Sequence, residues 1–231
     1  MRLWVVIPAL NEAARIEAAV RQVIGKAAGC IVADGGSRDG TMTLATQAGA
    51  SVVSSEPGRA IQMKCGAWAA LALDPACDHL LFLHADCVLP HDWIDEITHA
   101  RGSAARFDVE LISSRMSGWR WHMLRMIAWF MNQRSALTGI CTGDQALFVP
   151  VDAFRMLNGF AAIPLMEDID ISRRLKRLSM QPIRLRGPIQ VSARRWEERG
   201  VIRTMLAMFE YRLRYFAGES PESLHRRYYG P

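Results

Sequence analysis

At 231 residues and 50% hydrophobic content, the chain is long enough for one large domain or two small ones with an ample core, and one domain is expected. Five scattered cysteines without a Cys-x-x-Cys pair suggest neither a disulfide framework nor a structural zinc site, and no charge-free apolar run reaches membrane-spanning length. The net charge of +5 is unevenly spread: residues 1–170 hold 14 basic and 18 acidic side chains, residues 171–231 hold 14 basic and 5 acidic. A basic C-terminal quarter suits ligand phosphates, anionic lipid head groups, nucleic acid or simply solvent.

Short Val/Ile/Leu runs alternate with helical patterns through the first half. "LWVVI" (3–7) reads as a strand, and Ile16, Val20, Val23, Ile24 and Ala27 mark one face of the next helix. "CIVA" (30–33) is a second strand, and Thr41 caps a short helix ending at Gly49. "SVVS" (51–54), a helix over about 59–73 and "LLFL" (80–83) follow. Strands this short, apolar on both faces and separated by helices, predict a mostly parallel sheet covered on both sides, an α/β/α sandwich. Later come a half-buried strand at 106–112, a Trp- and Met-rich helix at 117–134 and a strand at 145–149. Helices near 152–158 and 167–179, a short strand near 183–186 and a basic helix over about 200–217 complete the pattern. Met1 leads straight into a strand, so no signal peptide is expected; the cysteine usage fits a reducing compartment, the cytoplasm.

In open parallel sheets, ligands bind at the carboxyl ends of the strands. Four polar constellations occupy that edge: Pro8-Ala-Leu-Asn11-Glu12, Asp34-Gly35-Gly36-Ser37-Arg38-Asp39-Gly40-Thr41, Pro57-Gly58-Arg59 and His84-Ala85-Asp86. Each alone is an ordinary helix start or turn; their joint placement is what points to a site. Neither a Gly-x-Gly-x-x-Gly after the first strand nor a Gly-x4-Gly-Lys-Ser/Thr is present, so a nucleotide would be held by other means.

The motifs "VIPALNEAARI", "VADGGSRDGT", "PGRAIQM", "LLFLHAD", "TGDQALFV", "PLMEDIDISRRL", "SARRWEERG" and "SPESLHRRYYG" resemble, in this order and over nearly the whole chain, the inverting family 2 glycosyltransferases of the GT-A fold. More narrowly they are similar to a small bacterial branch linked to radical-SAM proteins and arsenosugar biosynthesis. The resemblance implies one GT-A domain over 1–231, with a nucleotide-binding half (1–115), an acceptor and catalytic half (116–198) and a basic helical tail (199–231). It implies transfer of a sugar from a nucleotide diphosphate, a UDP-sugar rather than a GDP-sugar, to a small-molecule or lipid-linked acceptor, with Mg2+ or Mn2+ and without nucleic acid as a partner.

Residue by residue, the resemblance implies that Pro8 and Glu12 line the nucleoside pocket. Asp34 would accept a hydrogen bond from the base, as a carboxylate can from an imide N–H. Arg59 would face the base or phosphates, with Gln62 and Lys64 following; Lys64 stands where the family pattern has Asn. Asp86 would hold the divalent ion, since hard ions accept one or two carboxylates completed by phosphate oxygens and water. His84 stands where Asp-x-Asp is common, but His-Ala-Asp is the form expected in the narrower branch. Asp168, with Glu167 beside it, would be the general base, although acidic residues also belong in a helix's first turn. Gly143, Asp144 and Gln145 would lie against the donor sugar or acceptor, Arg194 and Arg195 would stabilise the departing diphosphate, and Trp196 would stack on a sugar.

Two helical stretches, 119–131 and 201–216, mix Arg with aromatic and Met residues as interfacial helices do, so peripheral contact with the inner face of a membrane is a further expectation. Buried amphipathic helices read the same way. Two other functions share these features. A nucleotidyltransferase acting on a sugar phosphate would need a Gly- and basic-rich loop after the first strand, which "PALNEAARI" is not. A non-catalytic membrane- or partner-binding relative would tolerate replacement of Asp86 and Asp168.

Overall fold

The computed structural model describes residues 1–230. One eight-stranded sheet organises it. The central strand β1 (Leu3–Ala9) pairs in parallel with β2 (Gly29–Asp34) and β4 (His79–Phe82), and β2 pairs in parallel with β3 (Ser51–Ser54). Beyond β4 the direction reverses. β7 (Leu147–Pro150) runs antiparallel to β4 and to β6 (Ala105–Ile112); β8 (Ile183–Ser192) lies parallel to β6, and the two-residue β5 (Cys87–Val88) closes that side. The resulting order is β3-β2-β1-β4-β7-β6-β8-β5.

Alternation within the strands sends side chains to two cores. Val5, Ile7, Leu81 and Leu83 face one layer with α1 (Ala13–Arg21), α4 (Trp93–His99) and α5 (Gly118–Thr138). Val6, Ile31, Leu80 and Phe82 face the other, with α3 (Arg59–Leu73), α6 (Val151–Met156) and α7 (Glu167–Arg177). Burial on both faces is why the strands read as continuous apolar runs, each such side chain contributing about 1.5–3 kcal/mol. The α3 helix lies very close to the sheet: a Cβ on Gly66 would come 2.6 Å from Val6 Cγ1. Glycine is required there by proximity.

The structure corrects several expected elements. The first helix ends at Arg21, and Val23 is buried from a turn rather than from the helix. Thr41 does not cap α2 (Thr41–Gln47). Gly40 does so in a left-handed conformation, and the Asp39 carboxylate accepts from both the Thr41 backbone N–H and its hydroxyl. The α4 helix escaped detection because only two of its seven residues, Trp93 and Ile97, are buried, too few for a visible period. β8 continues six residues past the expected end. Gly187-Pro188 reads as a stop, but the chain absorbs it as a bulge, with Gly187 at φ +73° and a register shift opposite Arg106–Asp108. "ARRWEER" forms a short helix, α8 (Arg194–Arg199), before α9 (Val201–Phe216), and "PESLHRRYY" forms α10 (Pro221–Tyr229) with the Ser220 hydroxyl as its N-cap acceptor. Among the described residues, no helix is long and apolar enough to cross a membrane.

Candidate active site

The ends of β1 and β2 are fastened together by their own loops. Asn11, at φ +55°, receives Arg38 N–H on its side-chain oxygen and donates its backbone N–H to Ser37; the backbone N–H of Glu12 goes to Thr41 Oγ1 and that of Ala13 to Asp39. Beneath them Gln62 donates its amide to the carbonyls of Ala9 (2.7 Å) and Ala33 (2.9 Å). This buried side chain is therefore occupied as a strut between strand ends, which corrects its expected place among ligand contacts. Pro8 is buried opposite Ala33, and the Glu12 carboxylate is paired with Arg15 at 2.9 Å.

Asp34 is 1% exposed, and one carboxylate oxygen accepts from the backbone N–H groups of Gly36 (2.9 Å) and Ser37 (2.8 Å). Its other oxygen, Oδ1, is buried without a partner. An orphaned buried acceptor costs about 1–3 kcal/mol unless something donates to it.

A second polar group assembles at the end of β4. His84 follows the strand, and a tight 3-10 turn, Gly143–Gln145, faces it across the edge. His84 Nδ1 lies 3.4 Å from Asp144 Oδ1, and its Nε2 is buried without a partner. Gly143 is glycine because of this ring: a Cβ there would sit 2.7 Å from His84 Nε2. Gly143 was expected against the donor sugar or acceptor; the group packed against it here is His84. Gln145 is wholly buried and completes a capping box with Thr142, accepting its N–H at 3.0 Å, so it supports the turn and does not face a ligand.

α7 brings in the carboxylates. It starts after Met166, held at φ +68°, a left-handed conformation that a non-glycine residue occupies at a cost of about 1–3 kcal/mol and that clusters at functional sites. Asp168 accepts from the N–H of Gly143 at 3.1 Å and from that of Ile169 at 2.7 Å, which ties α7 to the 3-10 turn. Glu167 is buried; that burial and the adjacent Asp168 charge push its pKa above the usual carboxylate range, against the pull of Arg59. For Asp144, desolvation works against ionisation, but the His84 ring and the charges of Arg59 and Arg195 outweigh it and bring its pKa down to about 2. Arg59 sits among Glu167, Tyr229, Asp144 and Asp86; desolvation works to lower its pKa, and these neighbours more than reverse the effect.

These groups line one pocket of about 110 Å³: Arg59, His84, Gly143, Asp144, Glu167, Asp168 and Arg195 all border it. Of the other residues singled out from the sequence, Arg194 is exposed and does not line it, and Lys64 lies beside Gly159, away from it. Trp196 is a correction. It is 6% exposed and packs into the core with α5, so its indole is unavailable to a sugar in this pocket. Sequence reasoning missed the remaining wall, which α9 and α10 supply: Met208, Tyr211, Arg212, Tyr228 and Tyr229. The signal was present. Arg212 falls four residues after Met208 on the helix period set by Val201 and Thr204, a charge on an inward face.

Asp86 lies just beyond His84, and its charge reaches Arg59 and Cys87. Among the described residues, no three His, Cys, Asp or Glu side chains converge as a metal cage. Burial, with Asp86 and Asp144 nearby, holds the Cys87 thiol well above its usual pKa, so it offers a neutral sulfur, not a thiolate ligand. The donors here are carboxylate oxygens, the set a hard ion accepts when phosphate and water complete its shell.

The fold is that of the GT-A glycosyltransferases. Glucosyl-3-phosphoglycerate synthase from Mycobacterium tuberculosis, in complex with Mn2+, UDP and glucosyl-3-phosphoglycerate, superposes with a TM-score of 0.52 at 22% identity over 83% of this chain and 69% of that one. The same enzyme with Mg2+ and UDP gives the same values, and a mycobacterial protein superposes with a TM-score of 0.51 at 21% identity over 83% of this chain and 65% of that one. The chain thus spans about two thirds of the length of these structures. The model of Glycosyl transferase family 2 matches residues 4–157, and the chain belongs to that family. No curated protein matches it.

Proposed function

We propose that this glycosyltransferase moves a sugar from a UDP-sugar to a hydroxyl acceptor with inversion, assisted by Mg2+ or Mn2+, and that it belongs to the small bacterial branch marked by His84-Ala85-Asp86. The observation that carries the reading is the convergence of Arg59, His84, Asp144, Glu167, Asp168 and Arg195 on one pocket, at the strand edge that also holds the orphaned Asp34 oxygen. UDP in the superposed M. tuberculosis enzyme supports the choice of donor.

In this reading, Asp34 Oδ1 accepts the imide N–H of the base, and Pro8 and Glu12 border the nucleoside. Asp86 would hold the ion, which when bound neutralises diphosphate charge. Arg59 and Arg195 add fixed positive charge where negative charge grows on the leaving group, a contribution that needs no reorganisation during the reaction. Asp168 takes the proton of the acceptor hydroxyl as its oxygen attacks the anomeric carbon. Two backbone N–H groups fix the orientation of that carboxylate. Asp144 holds the His84 ring in place and faces sugar hydroxyls.

Titration calorimetry with UDP- and GDP-sugars in the presence of Mn2+ or Mg2+ tests the reading. UDP-sugar binding by the wild type and its loss in Asp86→Ala are expected; absence of any nucleotide-sugar binding with either ion overturns it. NMR of the product anomer reads inversion directly.

A further inference from the structure

A concavity of about 1140 Å³ lies outside the pocket just described, between α5, α7 and α9. Its floor is apolar, with Phe130, Leu137, Phe209 and Phe216 each more than half exposed at 57, 85, 63 and 53%. Five basic residues border it, and among the described residues no acidic side chain does. It meets the catalytic pocket at Met208 and Arg212, which line both. Arg134, which lines the groove, has two buried guanidinium nitrogens, Nε and Nη2, without partners. Among the described residues, neither Arg134 nor Arg212 forms a salt bridge: the charge of Asp168 reaches both from the catalytic pocket, but the buried Arg134 nitrogens beside the apolar trough stay unpaired, which leaves the basic site incomplete.

Resting on the glycosyltransferase reading above, the geometry points to an anionic phospholipid as the acceptor: its chains lie in the α5/α7/α9 groove, its phosphate is held by Arg134 and Arg212, and its head-group hydroxyl reaches Asp168. The hydroxyl oxygen forms a bond to the anomeric carbon and its proton passes to Asp168. The bond from that carbon to the diphosphate oxygen breaks, and the nucleoside diphosphate leaves with the electron pair. Charge decides between this occupant and a second copy of the chain. An isologous dimer would place the Arg/Lys rim against itself, whereas an anionic lipid neutralises it. Two of these helices, α5 and α9, also expose Trp129, Ile202 and Leu206, so the groove lies within a surface suited to the interface of a bilayer.

Burial pulls the Arg134 guanidinium down to about 10, aided by the nearby Arg212 charge. A phosphate between the two would offset the mutual repulsion of their charges.

The test measures lipid binding without nucleotide, so that it stands apart from donor binding. Dihexanoyl-phosphatidylglycerol below its micelle concentration is titrated into the full chain, with dihexanoyl-phosphatidylcholine and glycerol 3-phosphate as comparators. Tighter binding of the anionic lipid than of either comparator, by tenfold or more, is expected. Phe209→Asp, an exposed position that leaves the fold intact, and Arg134→Gln should each weaken it at least tenfold, while Phe209→Asp leaves UDP–Mn2+ binding unchanged. Equal binding of glycerol 3-phosphate would reduce the site to a phosphate pocket and overturn the proposal. Equal binding of the zwitterionic lipid, or sedimentation as a dimer that Phe209→Asp dissolves without any lipid binding, would overturn it as well. Loss of UDP–Mn2+ binding with lipid binding intact would instead indict the donor reading.

Discussion

Two polar regions share the carboxyl edge of the sheet, and they are built on opposite principles. At the ends of β1 and β2 nearly every polar group has a partner within the chain: Asn11, Asp39 and Thr41 lace the loops together and Gln62 ties the strands from below. At the end of β4 the groups are crowded and incompletely matched. His84 Nε2 and Gln145 Nε2 lack partners, Met166 is left-handed, and Glu167 is buried next to Asp168. The first region is satisfied by folding alone and supports a scaffold with one open seat, Asp34 Oδ1. The second carries local conflict of the kind that clusters where chemistry occurs. Substitutions should therefore cost mainly stability in one region and mainly activity in the other.

The largest effect belongs to Asp168. Asp168→Asn should lower sugar transfer by about 10²- to 10⁴-fold, the usual contribution of a positioned general base, while UDP-sugar binding and the melting temperature stay near the wild type. Transfer at the wild-type rate would remove Asp168 from the mechanism and blur the contrast. Gln62→Leu should show the converse. It leaves two buried carbonyls without their donor, which costs about 2–3 kcal/mol and shifts the melting temperature by roughly 4–12 °C for a chain of this size. A Gln62→Leu enzyme that melts normally would mean that the strut is dispensable.

Between these lies Gly143→Ala. Its Cβ would meet the His84 ring, and overpacking of this kind costs about 1–3 kcal/mol. Because the ring must move away from Asp144, the pocket changes with the fold, and turnover should fall together with the melting temperature. A loss of stability without a loss of turnover would show that His84 only fills space.

Much of this edge was legible in the sequence, for a physical reason: parallel strands covered on both faces read as uninterrupted apolar runs, and the residues after them are forced to one edge. Asp34, Arg59, His84, Asp144, Glu167, Asp168 and Arg195 were all reachable by that rule together with the resemblance of the motifs. What stayed hidden depends on distances that sequence spacing does not encode. Gln62, Gln145 and Trp196 are residue types that suit ligands, and only packing shows that Gln62 and Gln145 bond to backbone and that Trp196 lies in a core. Conversely, Tyr228 and Tyr229 reach the pocket from α10, whose docking no local pattern announces, while Arg212 on α9 carried only the weak signal of a charge on an inward face.

The smallest effect should have the opposite sign from the others. Glu167 is held above the usual carboxylate range by burial and by Asp168. With a folded-state pKa above the unfolded one, its contribution to stability is fully present below the unfolded value, about 4.3, and is lost as the pH rises through the folded one. At neutral pH the folded chain therefore carries a charge that it would hold more easily unfolded. Glu167→Gln keeps the shape and removes that charge. The variant should melt slightly higher than the wild type at pH 7, and the difference should shrink as the pH is lowered towards 4. Thermal scans from pH 4 to 8 read the sign directly. A variant less stable than the wild type at pH 7 would mean that the pull of Arg59 on Glu167 outweighs burial, and that the crowded region is better matched than its unpartnered atoms suggest.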